Sequence, residues 1–130
     1  MIDYDFTFDG KVLEPELDQL GFVHHHKIAE WLHNGRVAYL RSKGGAYETV
    51  LEQGFVPALV NLEMTFSGAL KRDMEYRLQM ALQRRGARYI FHTKILQQPS
   101  LTELATSKAE LVFTKDGKVA KDDILAIKAS

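Results

Sequence analysis

The chain has no cysteine, only three prolines and no net charge. Each shortage excludes something. Without cysteine there is no disulfide framework, no thiol nucleophile and no thiolate metal site. Its 17 basic and 17 acidic side chains balance. That argues against a nucleic-acid binder working by bulk charge and favours self-association over long-range repulsion. The longest apolar run, Phe55 to Val60, falls far short of the roughly 20 residues a membrane helix needs. The start, Met1-Ile2-Asp3-Tyr4-Asp5, lacks the basic and apolar regions of a secretory signal. A cytoplasmic protein is the expectation. Repeats, low-complexity tracts and Pro/Ser-rich linkers are also missing. Pro15, Pro57 and Pro99 fall where loops or strand ends are expected.

What is present is an ordinary globular composition. Of 130 residues, 45% are apolar and 26% charged, enough to hold a core in one domain. Residues 1–130 read as a single domain, with residues 118–130 as a polar, loosely held tail.

The hydrophobic period divides the chain. Tyr4 to Leu13 alternates imperfectly, as a strand interrupted at Asp9-Gly10. Glu14 to Phe22 reads as a loop. From His24 to Lys43 the period lengthens. Ile28, Trp31, Leu32, Gly35 and Tyr39 form one face of an amphipathic helix. Gly35 costs that helix about 1 kcal/mol relative to alanine, which close approach to a sheet would explain. Gly44-Gly45 ends the helix, and a short second helix covers Ala46 to Gln53. Then the period becomes two: Val60 to Phe66, Asp73 to Leu82, Tyr89 to Ile95 and Ala105 to Phe113 read as half-buried antiparallel strands. Strand, long helix, then four strands implies an α+β fold. The economical arrangement is a curved antiparallel sheet of about five strands around one central helix.

The most informative stretch is Glu16-Leu17-Asp18-Gln19-Leu20-Gly21-Phe22-Val23-His24-His25-His26. An acid sits in a loop, a glycine follows three residues later, and a helix begins. Helix starts carry free N–H groups and partial positive charge, which can polarise a carbonyl and hold an oxyanion. A carboxylate beside them could activate water or attack directly. The bland reading is a capped turn.

This stretch, followed by Ile28-x-x-Trp31-Leu32-x-x-x-Arg36-Val37-Ala38-Tyr39-Leu40, resembles the hotdog-fold acyl-CoA thioesterases of the 4-hydroxybenzoyl-CoA thioesterase type. Gly54-Phe55-Val56-Pro57 is similar to that family's second strand. Arg84-Arg85-Gly86-Ala87-Arg88 is similar in position to its turn between third and fourth strands. The resemblance spans about residues 4 to 114. It implies hydrolysis of an acyl-CoA thioester to acid and coenzyme A, with no cofactor and no metal. It gives Asp18 the role of nucleophile or general base, and the helix-start N–H of His25 the role of polarising the thioester carbonyl. Gly21, Val23 and His24 are read as substrate-binding neighbours. Arg84, Arg85 and Arg88 are read as contacts for the coenzyme A phosphates, since arginine binds phosphate bidentately; a solvated turn is the other reading. The resemblance also implies a homo-oligomer, a dimer or dimer of dimers, with the site between subunits. The chain departs from the pattern at Phe22, Ile28 and His33, where members carry His, Tyr and Glu.

The histidines have a second reading. His24, His25 and His26 point about 100° apart on a helix, so they cannot share one metal. His26, Glu30 and His33 share a face, but a polar outer face explains them, and no metal is assigned. Without the resemblance His25 reads as a packed structural histidine; with it, the site reading is favoured. Two other functions stay open: a hotdog hydratase or dehydratase, and a non-catalytic acyl-CoA binding module. An enoyl-CoA absorbance assay separates the first. Unchanged affinity in Asp18→Asn would mark the second.

Overall fold

The computed structural model describes residues 2–125. Its elements run β1 (Phe6–Lys11), a 3-10 turn (Glu14–Glu16), α1 (His25–Ser42), α2 (Ala46–Glu52), β2 (Val56–Phe66), β3 (Glu75–Arg85), β4 (Arg88–Gln98), β5 (Thr102–Lys115) and β6 (Lys118–Val119). Five strands lie in the order β1-β3-β4-β5-β2, all antiparallel, and β6 extends the end of β5. The sheet curls around α1, as expected, in the hotdog arrangement.

Alternation builds the inner face. Tyr76, Leu78 and Met80 of β3, Tyr89, Phe91 and Ile95 of β4, and Ala105, Ala109 and Phe113 of β5 are buried with Ile28, Trp31, Leu32 and Tyr39 of α1. Period-two residues thus meet a period-3.6 stripe, the reason the two elements pack. Gly35 explains how closely. A Cβ there would stand 3.0 Å from Leu78 Cδ1 and 3.0 Å from Met80 Sδ. Both side chains are wholly buried, so the helix comes close only because this residue has no side chain.

Three expectations need correction. The first strand is not interrupted at Asp9-Gly10: β1 runs through both, because the Tyr76 ring fills the space a side chain at Gly10 would occupy. β2 begins at Val56, where the resemblance of residues 54–57 to a second strand put it, and not at Val60 where the alternation begins, with a register shift between Leu59 and Asn61. The tail is not loosely held as far as it is described. Beyond β6, Leu125 is 4% exposed, and Arg84 Nη2 donates to the Lys121 carbonyl at 3.1 Å. Residues 126–130 of that tail lie outside the described residues. Among the described residues, no helix is long and apolar enough to cross a membrane.

Candidate active site

The loop before α1 is closed by its own acid. Asp18 Oδ1 accepts the N–H of Leu20 at 2.8 Å and of Phe22 at 3.1 Å. Asp18 N–H donates to the Phe22 carbonyl at 2.7 Å, and Gly21 N–H to the Asp18 carbonyl at 3.2 Å. Short acids favour such turns because the carboxylate reaches amides two to four residues on. Gly21 has φ +82, a left-handed conformation that glycine adopts without strain. The consequence is asymmetric. Oδ1 is occupied by the loop, whereas Oδ2 accepts no hydrogen bond among the described residues.

The same loop is fastened to the chain entering β3. Val23 N–H donates to the Leu70 carbonyl at 2.9 Å, Arg72 N–H to the Gly21 carbonyl at 3.3 Å, and Phe22 pairs with Lys71. The helix then starts without a side-chain cap. Its first residue outside, His24, places its N–H on the Glu16 carbonyl at 3.0 Å, and its own carbonyl receives Lys27 and Ile28. The N–H groups of His25 and His26 find no acceptor among the described residues. They are the unsatisfied donors at the positive end of the helix dipole.

These groups share one open cleft of about 730 Å³, walled by Asp18, His24, His25, Ile28, Phe66 and Leu70. A carboxylate residue and the first residue of the helix thus line one cleft together with apolar side chains. This arrangement can hold a carbonyl by its oxygen while a carboxylate or its water addresses the carbon.

The predicted residues divide into two groups. Asp18, Gly21, Val23, His24 and His25 converge at this cleft or on the loop that forms it. The His25 side chain is exposed, not packed in the core. The His24 and His26 rings stack at 5.1 Å. Arg84, Arg85 and Arg88 lie elsewhere. They flank the β3–β4 turn, while the cleft lies by the other end of β3. That strand has 11 residues, so the separation along it is about 33 Å at ~3.3 Å per residue. Arg84 is turned to the tail, and Arg88 lies 3.5 Å from Glu110. Glu30 pairs with Lys27 at 3.2 Å. Among the described residues no three His, Asp or Glu side chains gather as a metal-ligand set.

Two features were not assigned from the sequence. One is the wall contributed by Phe66 and Leu70, from a segment more than 40 residues after Asp18. The other is the tie between Glu16 and Trp31, where the indole Nε1–H donates to Oε2 at 2.6 Å. Trp31 read as core alone, and its indole nitrogen was the available signal, since a buried tryptophan N–H needs an acceptor.

No protein-family model matches the chain. Several solved structures are similar to it. A 1,4-dihydroxy-2-naphthoyl-CoA thioesterase from Synechocystis superposes with a TM-score of 0.81 at 18% identity, covering 92% of this chain and 90% of that one. A DHNA-CoA thioesterase from Staphylococcus aureus gives 0.81 at 17% identity, covering 88% and 78%. A 4-hydroxybenzoyl-CoA thioesterase, solved as an aspartate-to-asparagine variant with 4-hydroxybenzoyl-CoA bound, gives 0.81 at 16% identity, covering 91% and 92%. At these identities the likeness is one of fold, and the fold is that of the hotdog thioesterases.

Proposed function

We propose that this protein hydrolyses an acyl-CoA thioester to the free acid and coenzyme A. The observation that carries this reading is that Asp18, with only Oδ1 engaged by the loop, and His25, at the start of α1, line the same cleft. The thioester oxygen accepts the His25 N–H, at the positive end of α1. This stabilises the charge that develops on oxygen when the carbonyl carbon is attacked. Asp18 either takes a proton from the attacking water or attacks the carbon itself through an anhydride that water then opens. Coenzyme A leaves as its thiolate, a good leaving group that needs little acid assistance. Val23 and His24 line the cleft, and Gly21 turns the loop that forms it. The similar structures named for aryl-CoA thioesterase activity support the reaction class.

A homodimer joined along β2 fits the same reading. That edge strand exposes Val56, Leu59, Val60, Leu62 and Phe66, and pairing with a second copy would cover them. Arg85 and Arg88 then contact coenzyme A only through a neighbouring copy, because within one protomer β3 separates them from the cleft, while Arg84 is held by the tail.

The test is thiol release from short, long and aromatic acyl-CoAs by wild type and Asp18→Asn. Release by wild type, reduced at least ~100-fold in the variant, is the expected result. Equal release by both would remove Asp18 from the mechanism.

A further inference from the structure

We propose that Glu16 is a positioning residue that sets the span between the Asp18 carboxylate and the free N–H of His25. This rests on the thioesterase reading of the cleft. Besides its own N–H, which donates to the Leu13 carbonyl at 3.0 Å, Glu16 accepts three hydrogen bonds. Its Oε1 accepts the Leu13 N–H at 2.8 Å, its Oε2 accepts the Trp31 indole N–H at 2.6 Å, and its main-chain carbonyl accepts the His24 N–H at 3.0 Å. Leu13 precedes the 3-10 turn, His24 is the residue before α1, and Trp31 lies nearly two turns inside it. One residue therefore ties the turn, the helix start and the helix body together, two positions before the catalytic acid.

The far end of this tie is itself fixed. The Trp31 ring stacks on Tyr76 with centroids 4.1 Å apart and planes 15° apart, and Tyr76 is a buried residue of β3 that packs over Gly10. Burial, with the Glu16 charge adding to it, pushes the Tyr76 hydroxyl up to about 12. The bracket runs from the sheet through Tyr76, Trp31 and Glu16 to the loop. A hydrogen bond to a charged acceptor is the stronger kind, so an acid suits this position better than an amide would. The main-chain bonds of the loop, with the Leu17–Val23 bridge, keep Asp18 in its turn and reach as far as His24, but not the body of the helix. The Glu16 side chain does reach it, at Trp31, and an error of about 1 Å in such a span can cost roughly 100-fold in rate.

The tryptophan is the only one in the chain, so its emission reports the bond directly. Glu16→Gln keeps the size of the side chain but replaces one acceptor with a donor, and Trp31→Phe removes the donor while leaving a ring on Tyr76. Each is expected to lower kcat by roughly 100-fold with KM changed by no more than about twofold. The double variant is expected to be no worse than either single one, because both remove the same bond. In ¹⁵N spectra, the Leu20, Phe22 and His25 amides should shift in both variants, and Glu16→Gln should change the Trp31 emission. A kcat per folded site equal to wild type, with only the melting temperature lowered, would overturn the positioning role and leave Glu16 structural. If wild type hydrolyses no acyl-CoA, the thioesterase reading falls. The amide shifts then decide alone: unmoved amides overturn the bracket, and shifted ones support it.

Discussion

The Tyr89 hydroxyl donates to Asp123 Oδ1 at 2.9 Å, joining the middle of the sheet to a residue 34 positions later. The bond anchors the tail. Leu125, two residues on, is buried and joins the core cluster with Tyr89 and Phe113. Burial and the bond to Asp123 push the Tyr89 hydroxyl up to about 12, so it stays a donor through the neutral range. Leu125→Ala is expected to cost about 2–3 kcal/mol, the low end for a buried leucine. Tyr89→Phe should cost about 1 kcal/mol, for one hydrogen bond. Urea unfolding at neutral pH measures both. Wild-type stability in Leu125→Ala would mean that the tail is no part of the cooperative unit.

His92 gives the fold a dependence on pH. It sits on β4, with Nε2 2.7 Å from Gln83 Oε1 of the neighbouring strand. Burial holds its pKa below the ordinary histidine value; Lys108 and Arg85 push it the same way, while Glu110 opposes them. The folded state thus prefers the neutral ring more than the unfolded state does. That contribution is complete above the unfolded pKa of about 6.5. It is lost progressively as pH falls from there through the lowered folded value. We expect the urea midpoint to drop between pH 7 and pH 5, and His92→Gln to remove part of that drop. Parallel wild-type and variant curves across this range would mean that His92 contributes nothing to it.

The β2 edge makes a quantitative demand on assembly. Val60, 47% exposed, sits at the register shift between Leu59 and Asn61. Light scattering coupled to gel filtration should give at least twice the 14.8 kDa protomer mass. Val60→Lys should shift it towards one protomer, because a lysine on an edge strand opposes strand pairing. A monomeric wild type would refute the β2 dimer without touching the assignment of Asp18.

Much of the fold was legible because its signals are local and periodic. The stripe from Ile28 to Tyr39 identified α1, and Gly35 within it marked the close approach to Leu78 and Met80. The loop acid and helix start were legible for the same reason: Asp18, Gly21 and His25 lie within eight consecutive positions. What stayed hidden depends on distant partners. Arg84 looked like one of a basic cluster open to phosphate. Its guanidinium instead meets the Lys121 carbonyl and lies 4.0 Å from Asp123, and nothing near residue 84 announces a returning tail. Glu16 carried no signal apart from its place in the motif, since its indole partner is 15 residues away.

The unequal use of the two Asp18 oxygens has a practical consequence. An asparagine at this position can keep its amide oxygen on the Leu20 and Phe22 N–H groups, preserving the turn, and place its NH₂ where Oδ2 stood. That NH₂ neither takes a proton from water nor attacks a carbonyl. On the proposed function, Asp18→Asn is expected to separate retention from turnover and so to make the variant a snare for an acyl-CoA. Native mass spectrometry of Asp18→Asn purified directly from cells, set beside wild type, would weigh the retained molecule. The mass in excess of coenzyme A would identify the acyl group that the cleft selects.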